Sequence, residues 1–397
     1  MTASRRPLSY FAPCPTGLEQ ALAGELAELG AAAPRPLAGG VAFDGDLALG
    51  YRANLWSRIA SRVLLRLAAA PYRNEQDVYE AARALDWPAW FSPQRTFKVA
   101  VAATRCPLTS LDFVTLRIKD AVADRFRDAA GARPDVDTRQ PDVRVHAFLD
   151  AEHVTLYLDL SGEALFKRGY RQQTGEAPLR ENLAAGILRL SGWTPATALL
   201  DPLCGSGTIA VEAAMAALRI APGRTRRFAF ERLAIHEPTL WRRLREEAQE
   251  PAADATPVIH ASDIDPRAVA MARANARAAG VDNAVKVERR DALEVEPPAA
   301  AGVIVTNPPY AVRLGAEDAL AEFYARLGDR LKQRFAGWSA FILTADLNLP
   351  QRIRLKPARR PPLYNGAIEC RLYEFRMVTG RVERRRAAGG GGPPAPG

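Results

Sequence analysis

The chain contains 397 residues, of which 48% are hydrophobic and 25% are charged, so it is long enough for two or three domains with packed cores. Its net charge of +9 favours a polyanionic partner, although free use of arginine by a GC-rich genome would have the same result. The sequence has no apolar run of about 18 residues and no secretory signal, and its four cysteines and four histidines are scattered, so we expect a cytoplasmic protein without a membrane span, a disulfide framework or a metal site.

The N-terminal part predicts a mixed α+β module without a catalytic constellation. Thr16 to Glu19 predicts a capping box with Thr16 as the N-cap, the leucines that follow repeat at helical spacing, and Gly30 stands at the position of a C′ glycine. The apolar stripe from Val114 to Phe126 predicts a second helix. Strands are predicted at 40–43, 97–101, 143–148 and 154–160.

Two stretches of this module resemble THUMP domains. Residues 159–162 (Asp-Leu-Ser-Gly) and 167–171 (Lys-Arg-Gly-Tyr-Arg) resemble the exit of a THUMP domain into a methyltransferase domain, and residues 54–62 resemble its entry helix. The resemblance covers roughly residues 8 to 172. Because THUMP domains bind RNA, the resemblance implies an RNA partner and RNA contacts by Lys167, Arg168 and Arg171. The alternative for these three residues is a solvated charged turn.

From about residue 178 the pattern changes to strands that alternate with helices. A strand at 198–201 ends in Asp201, and residues 201–208 read Asp-Pro-Leu-Cys-Gly-Ser-Gly-Thr before an apolar helix. A strand, a glycine turn and a helix begin a βαβ unit that binds a nucleotide-like ligand. The octapeptide resembles motif I of class I RNA and DNA methyltransferases, which implies S-adenosylmethionine (SAM) as the cofactor.

The resemblance assigns a set of residues in this motif to the SAM site: Asp201, Cys204, Gly205, Gly207 and Thr208. The residues themselves also favour SAM, because the third glycine that a dinucleotide pyrophosphate site commonly carries is absent. The negative charge of an acid at the strand end, Asp201, can pair with the positive charge of the SAM ammonium group. We interpret Cys204 as a small buried turn residue and not as a nucleophile.

The second strand of this domain, 258–263, ends in Asp263. An acid at this point binds ribose hydroxyls in related folds. Asp263 is the first candidate for that role, and Asp265, which can instead cap the next helix, is the second. Asp291 follows a third strand and stands where such methyltransferases accept a hydrogen bond from the adenine amine; the alternative is a turn aspartate.

The distance from motif I to Asp263 is far longer than the usual spacing of about 20 residues. Residues 218 to 257 are therefore predicted to be an insertion with a helix around Trp241. THUMP-containing guanine methyltransferases of ribosomal RNA have an insertion at this point, so the departure from the ordinary spacing agrees with the resemblance.

A fourth strand, 302–306, leads to Asn307-Pro308-Pro309-Tyr310. An exocyclic amine on an aromatic base is a poor nucleophile because its lone pair is delocalised into the ring. The Asn307 side-chain oxygen and the Pro308 carbonyl can accept its N–H bonds and direct the lone pair at a methyl group. Tyr310 can stack on the base. The tetrapeptide therefore predicts methylation of a ring-attached amine, with Asn307 also beside SAM.

The C-terminal part predicts two more strands, at 340–344 and 368–375. Between them lies a basic cluster that is either an RNA path or a solvated loop, and its candidate RNA contacts are Arg352, Arg354 and Lys356. The last residues contain almost only arginine, glycine, proline and alanine, so we predict a disordered tail at 383–397.

Together the motifs resemble the ribosomal large-subunit guanine-N2 methyltransferase L family over about residues 8 to 377. That resemblance implies transfer of a methyl group to N2 of a guanine in 23S rRNA, at the position numbered 2445. The implied partner is 23S rRNA, either free or in a large-subunit assembly intermediate. Some members carry a second domain that makes N7-methylguanine; we expect only the N2 activity here. Two alternatives remain: a THUMP-type tRNA guanine-N2 methyltransferase, and a non-catalytic RNA-binding assembly factor.

The predicted fold is an N-terminal α+β THUMP-type module followed by a Rossmann-like class I SAM methyltransferase domain. The predicted boundaries are a ferredoxin-like subdomain at 1–54, a THUMP-type domain at 55–165, the methyltransferase domain at 166–382 and the tail at 383–397. The residues do not indicate an oligomeric state.

Overall fold

The computed structural model describes residues 7–171, 179–249, 256–308 and 317–378. Its strands are β1 (Leu8–Pro13), β2 (Ala32–Leu37), β3 (Gly40–Gly45), β4 (Leu64–Pro71), β5 (Phe97–Ala103), β6 (Val143–Leu149), β7 (His153–Asp159), β8 (Ala198–Asp201), β9 (Ile259–Asp263), β10 (Lys286–Arg289), β11 (Gly302–Thr306), β12 (Trp338–Thr344), β13 (Pro362–Asn365) and β14 (Ile368–Arg376). Its α-helices are α1 (Glu19–Glu28), α2 (Leu47–Trp56), α3 (Glu75–Arg83), α4 (Leu111–Ala130), α5 (Glu181–Leu190), α6 (Thr208–Ala217), α7 (Pro238–Glu247), α8 (Pro266–Ala279), α9 (Glu317–Arg334) and α10 (Leu349–Ile353).

The first seven strands form one sheet in the order β2-β3-β1-β4-β7-β6-β5. Strands β5 and β6 pair in parallel, and the other neighbours pair antiparallel. Residues of β6 alternate between buried and more accessible positions, as expected for a strand with one covered face, and α4 packs on the neighbouring β5. Because β1 pairs with β4, with Tyr10 opposite Leu65, a single sheet spans the predicted subdomains 1–54 and 55–165.

The predicted start of the first helix is wrong. Helix α1 begins at Glu19 with Leu18 as its N-cap, because Gly17 turns the chain at a φ of +92° and prevents a helical start at Thr16. The Glu19 carboxylate accepts a hydrogen bond of 2.9 Å from the Gly17 N–H, so it does stabilise the entry to the helix. Gly30 has a φ of +103° and follows the last helical turn, as predicted.

The remaining strands form a second sheet in the order β10-β9-β8-β11-β12-β14-β13. Strands β10, β9, β8, β11 and β12 are parallel. Strand β14 is antiparallel to β12, and β13 is the edge strand, antiparallel to β14. All residues of β8 and β11 are buried, which is typical of parallel strands covered by helices on both faces. The predicted architecture, an α+β module followed by a doubly wound α/β domain, is therefore confirmed.

The insertion between β8 and β9 packs against the N-terminal module. The predicted helix around Trp241 is α7, and the Trp241 ring stands edge-on to Phe228 and Phe230 at centroid distances of 5.6 and 5.0 Å. It also contacts Tyr51 of α2 at 5.8 Å. Aromatic edge-to-face packing of this kind stabilises buried contacts. The described part of the insertion therefore joins the two modules.

Candidate active site

Four parallel strands end along one edge of the second sheet. Asp201 is the last residue of β8, Asp263 is the last residue of β9, Asn307 follows β11 directly, and Asp291 stands two residues after β10. These strands are neighbours in the order β10-β9-β8-β11. Because the carboxyl ends of parallel strands meet at one edge, the structure brings the four predicted residues to the crevice where such sheets bind ligands.

The glycine turn between β8 and α6 has the backbone that its sequence predicts. Gly205 and Gly207 have φ angles of +52° and +77°, which favour glycine. A Cβ at Gly207 would lie 2.9 Å from the Cβ of Ala272 on α8, whereas a Cβ at Gly205 would meet no atom within 4 Å. Gly207 therefore allows the turn to pack on α8, and Gly205 faces open space in which a ligand can approach the backbone.

A buried asparagine on α8, which was not among the predicted site residues, supports this turn. The Asn275 Nδ2 donates a hydrogen bond of 2.9 Å to the carbonyl oxygen of Ser206. Asn275 is 3% exposed and lies on the stripe of buried residues with Ala272 and Ala279. A polar residue on an otherwise apolar stripe is the signal that would have identified it.

Asp201 is a buried acid whose carboxylate is easily protonated. It is 1% exposed and accepts a hydrogen bond of 3.3 Å from the Leu203 N–H. The pKa of Asp201 is raised to about 7, mainly by burial and to a smaller extent by the negative charge of Asp263. A cation bound at this edge would favour the ionised form. The residues therefore fit a ligand with an ammonium group, as SAM has.

Asp263 and Asp265 are both engaged by backbone amides. The Asp263 Oδ2 accepts from the Gly205 N–H at 2.9 Å, and its Oδ1 accepts from the Asp265 N–H at 3.0 Å. The Asp265 carboxylate accepts from the Arg267 N–H at 2.8 Å and caps α8. Asp263 thus lies at the turn itself, whereas Asp265 has the capping role that is the alternative for it. Ribose binding by either residue stays a prediction.

The other predicted SAM residues occupy the same region. The Asp291 Oδ1 accepts a hydrogen bond of 2.9 Å from the Leu293 N–H after β10. Thr208 is the buried first residue of α6. Cys204 is buried, and burial raises the pKa of its thiol well above the usual value, so a thiolate is disfavoured at this position.

The Asn-Pro-Pro-Tyr sequence begins at the end of a fully buried strand. Asn307 is half-buried and Pro308 is buried, directly after Thr306 of β11. Tyr310, the third predicted catalytic residue, lies outside the described residues. Asn307 and Pro308 are therefore at the edge that also carries Asp201, since β11 pairs with β8.

The structure places Arg168, one of the predicted RNA contacts, in the interior. Its side chain is 1% exposed and lies 3.4 Å from the Glu212 carboxylate of α6. Its Nη1 donates to the Leu165 carbonyl at 2.6 Å, and its Nη2 donates to the Arg58 carbonyl at 2.5 Å. A buried guanidinium needs such partners, and they hold Arg168 between the two modules.

The other predicted RNA contacts differ in accessibility. The Arg171 side chain is 9% exposed and pairs with Glu181, so it also points inward. Arg352 pairs with Asp346 at 3.2 Å and is 23% exposed. The exposed cations among the candidates are Lys167, Arg354 and Lys356. RNA contact by these three remains a prediction.

Two further properties of the described residues concern metal ions and membranes. Within 7–171, 179–249, 256–308 and 317–378, no group of three or more histidine, cysteine, aspartate or glutamate side chains is placed to hold a metal ion. Over the same ranges, no helix combines the length and the apolar character that a bilayer span requires.

Three protein families match successive parts of the chain. The RlmL ferredoxin-like domain matches residues 9–64, the THUMP domain matches residues 72–159, and the RMKL-like, methyltransferase domain matches residues 168–374, which is just over half of the chain. The predicted THUMP-type fold ahead of a Rossmann-like methyltransferase fold is thus confirmed at the level of families.

Similar proteins extend over nearly the whole chain. A protein named ribosomal RNA large subunit methyltransferase K/L, from Shewanella sp. (strain ANA-3), is 43% identical over 369 residues, which are 91% of this chain and 52% of that protein. The chain therefore spans about half the length of the curated relatives it matches.

Two solved structures are similar over the same extent. The crystal structure of SMU.472 in complex with SAH is 32% identical, with a TM-score of 0.86 over 95% of this chain and 100% of that chain. A predicted N6-adenine-specific DNA methylase from Listeria monocytogenes str. 4b F2365 is 30% identical, with a TM-score of 0.85 over 94% of this chain and 97% of that chain.

Proposed function

Because the chain belongs to the RMKL-like methyltransferase family, we propose that it transfers the methyl group of SAM to the exocyclic N2 of a guanine in 23S rRNA, of the type numbered 2445. The observation that carries the proposal is the position of Asn307 and Pro308. They follow a buried strand directly and stand at the same sheet edge as Asp201 and the glycine turn.

The chemistry follows from what a guanine amine needs. SAM supplies an electrophilic methyl group on a sulfonium. The Asn307 side-chain oxygen and the Pro308 carbonyl accept the two N–H bonds of N2 and direct its lone pair at that methyl carbon. The N–C bond forms as the S–C bond breaks, and the surplus proton of N2 leaves to solvent. Tyr310 would stack on the base, which must leave its helix first if it is paired.

The residues that would hold SAM are those at the strand ends. Asp201 would pair with the ammonium group, and the turn from Cys204 to Thr208 would lie against the ligand with its backbone exposed at Gly205. Asp263, with Asp265 as second candidate, would bind the ribose hydroxyls, and Asp291 would accept from the adenine amine. Asn307 would stand between the cofactor and the base.

The N-terminal module supports RNA as the substrate. It has the THUMP fold, and the relatives similar over 91% of this chain carry the name of ribosomal RNA large subunit methyltransferases. The exposed cations Lys167, Arg354 and Lys356 would add phosphate contacts. A large-subunit rRNA, free or in an assembly intermediate, is therefore the proposed partner.

The substrate class is tested with SAM that carries a labelled methyl group. The full chain is incubated with unmodified 23S rRNA and, separately, with unmodified transcribed tRNA, and label in each RNA is counted. We expect label in rRNA that depends on intact Asn307. Label in tRNA alone would contradict the proposal and select a tRNA methyltransferase. Labelling of neither RNA, together with no binding of SAM by calorimetry, would favour a non-catalytic RNA-binding role.

A further inference from the structure

The Arg171 guanidinium connects three separate parts of the methyltransferase domain. Its Nη2 donates hydrogen bonds to the Leu179 carbonyl at 2.7 Å and to the Thr208 Oγ1 at 2.9 Å. Its Nε lies 3.1 Å from the Glu181 Oε1, and the two side chains of this ion pair are 9% and 8% exposed. These contacts place Arg171 in the interior, directly beside the first residue of α6.

Thr208 links this arginine to the glycine turn. It follows Gly207 and begins α6, so its position fixes where the turn meets the helix N-terminus. On the opposite side, Asn275 donates to the Ser206 carbonyl. The turn is thus held from two sides, by Arg171 through a side-chain hydroxyl and by Asn275 through a backbone oxygen.

The helix that carries the partner carboxylate of Arg171 is itself anchored. Glu181 opens α5, and the next residue, Asn182, donates from Nδ2 to the Ile59 carbonyl of the N-terminal module at 3.2 Å. The Arg171 Nη2 reaches Leu179 and Thr208 while its Nε lies beside Glu181, and a single ammonium nitrogen cannot take both places. The geometry therefore suits arginine at this position and explains its inward direction.

We propose that Arg171 is a positioning residue of the SAM site, which acts through Thr208, and that it does not contact RNA. The proposal rests on the assignment of residues 201–208 to SAM in the proposed function. Arg171 lies outside that motif and was predicted to contact RNA.

The test compares SAM affinity and RNA affinity in the same variants of the full chain. Arg171→Lys keeps the positive charge, but its shorter side chain has one nitrogen in place of Nε and Nη2, so it cannot pair with Glu181 and also reach Thr208. Thr208→Val removes the acceptor hydroxyl at similar volume. The double variant completes a mutant cycle. Lys167→Met is the control for an exposed cation four residues away, and Asp201→Asn tests the SAM site itself. SAM dissociation constants come from calorimetry, and affinity for unmodified 23S rRNA comes from filter binding.

We expect Arg171→Lys to raise the SAM dissociation constant by about tenfold and to leave the rRNA dissociation constant within about twofold. In the Arg171→Lys background, Thr208→Val should weaken SAM binding less than it does alone, because the bond between the two residues is already lost. Lys167→Met should leave SAM affinity unchanged.

Weaker rRNA binding by Arg171→Lys with unchanged SAM affinity would overturn the proposal and restore an RNA contact. Additive effects of the two substitutions on SAM affinity would show that Arg171 does not act through Thr208. Unchanged SAM affinity in Thr208→Val would show the same, and this variant provides the test if Arg171→Lys fails to fold. If Asp201→Asn binds SAM like the wild type, the assignment of the SAM site fails, and the proposal fails with it. If Asp201→Asn weakens SAM binding but Arg171→Lys does not, the proposed function stands and only the role of Arg171 is excluded.

Discussion

The Asp263 carboxylate accepts a hydrogen bond of 2.9 Å from the backbone N–H of Gly205. One acid at the end of β9 thereby holds the glycine turn that follows β8. The residue proposed to bind ribose therefore also maintains the shape of the turn, and its two roles can be separated by substitution.

Asp263→Ala should weaken SAM binding by about 10- to 100-fold, the range for loss of a hydrogen bond to a charged group. Asp263→Asn keeps an oxygen that can accept from Gly205, so its loss should be smaller. Calorimetric titration with SAM measures both. Asp282→Asn, an exposed acid on the turn before β10, is the matched control and should bind SAM like the wild type. Wild-type affinity in Asp263→Ala would contradict both roles.

The raised pKa of Asp201 predicts that SAM affinity depends on pH. Without a ligand, Asp201 is protonated below its pKa of about 7, and a bound ammonium group favours the ionised form. SAM binding therefore releases a proton at low pH, and affinity should rise by at most about tenfold per pH unit up to that pKa and then level off. Asp201→Asn should bind weakly with no such rise. A flat pH profile in the wild type would contradict the role of Asp201.

Asn307→Ala should lower turnover by about 10² or more, the scale for loss of one orienting polar group in a transition state. SAM affinity should stay nearly unchanged, because the proposed main role of Asn307 is to orient the base. Single-turnover methylation and calorimetry separate the two quantities. Asn348→Ala removes an exposed asparagine elsewhere in the domain and serves as the control. Parallel loss of SAM binding and turnover would show that Asn307 acts mainly on the cofactor.

Arg168→Met should destabilise the fold by about 3 kcal/mol, because it leaves the Glu212 carboxylate buried without its cationic partner. Its neighbour offers a matched control: Lys167 is 59% exposed and pairs with Glu163, so Lys167→Met should change stability by less than about 1 kcal/mol. Urea unfolding measures both. Similar stabilities of the two variants would contradict the structural role of Arg168.

The sequence predicts those parts of the molecule in which chemistry and local backbone depend on adjacent residues. The glycine turn, the acid at the end of each strand and the Asn-Pro pair after β11 are local patterns of this kind, and a parallel sheet then brings their strand ends together. For the same reason, the alternation of strands and helices in the second domain could be predicted from the sequence alone.

The parts that could not be predicted depend on residues far apart in the chain. Arg168 and Arg171 stand in a run of charges that is typical of a surface, and their partners Glu212 and Thr208 lie in an apolar helix about 40 residues later. The start of α1 was missed because Gly17 has a positive φ, which the capping pattern at Thr16 does not reveal. Long-range pairing, and not local propensity, decides these positions.

The identity of the methylated nucleoside tests guanine-N2 methylation by this chain. Unmodified 23S rRNA is methylated by the full chain with labelled SAM, digested to nucleosides and analysed by mass spectrometry, with Asn307→Ala in parallel. We predict labelled N2-methylguanosine in the wild type and a strong loss of that product in the variant. Labelled N6-methyladenosine in its place would keep the amine chemistry of Asn307 and Pro308 but contradict guanine as the target.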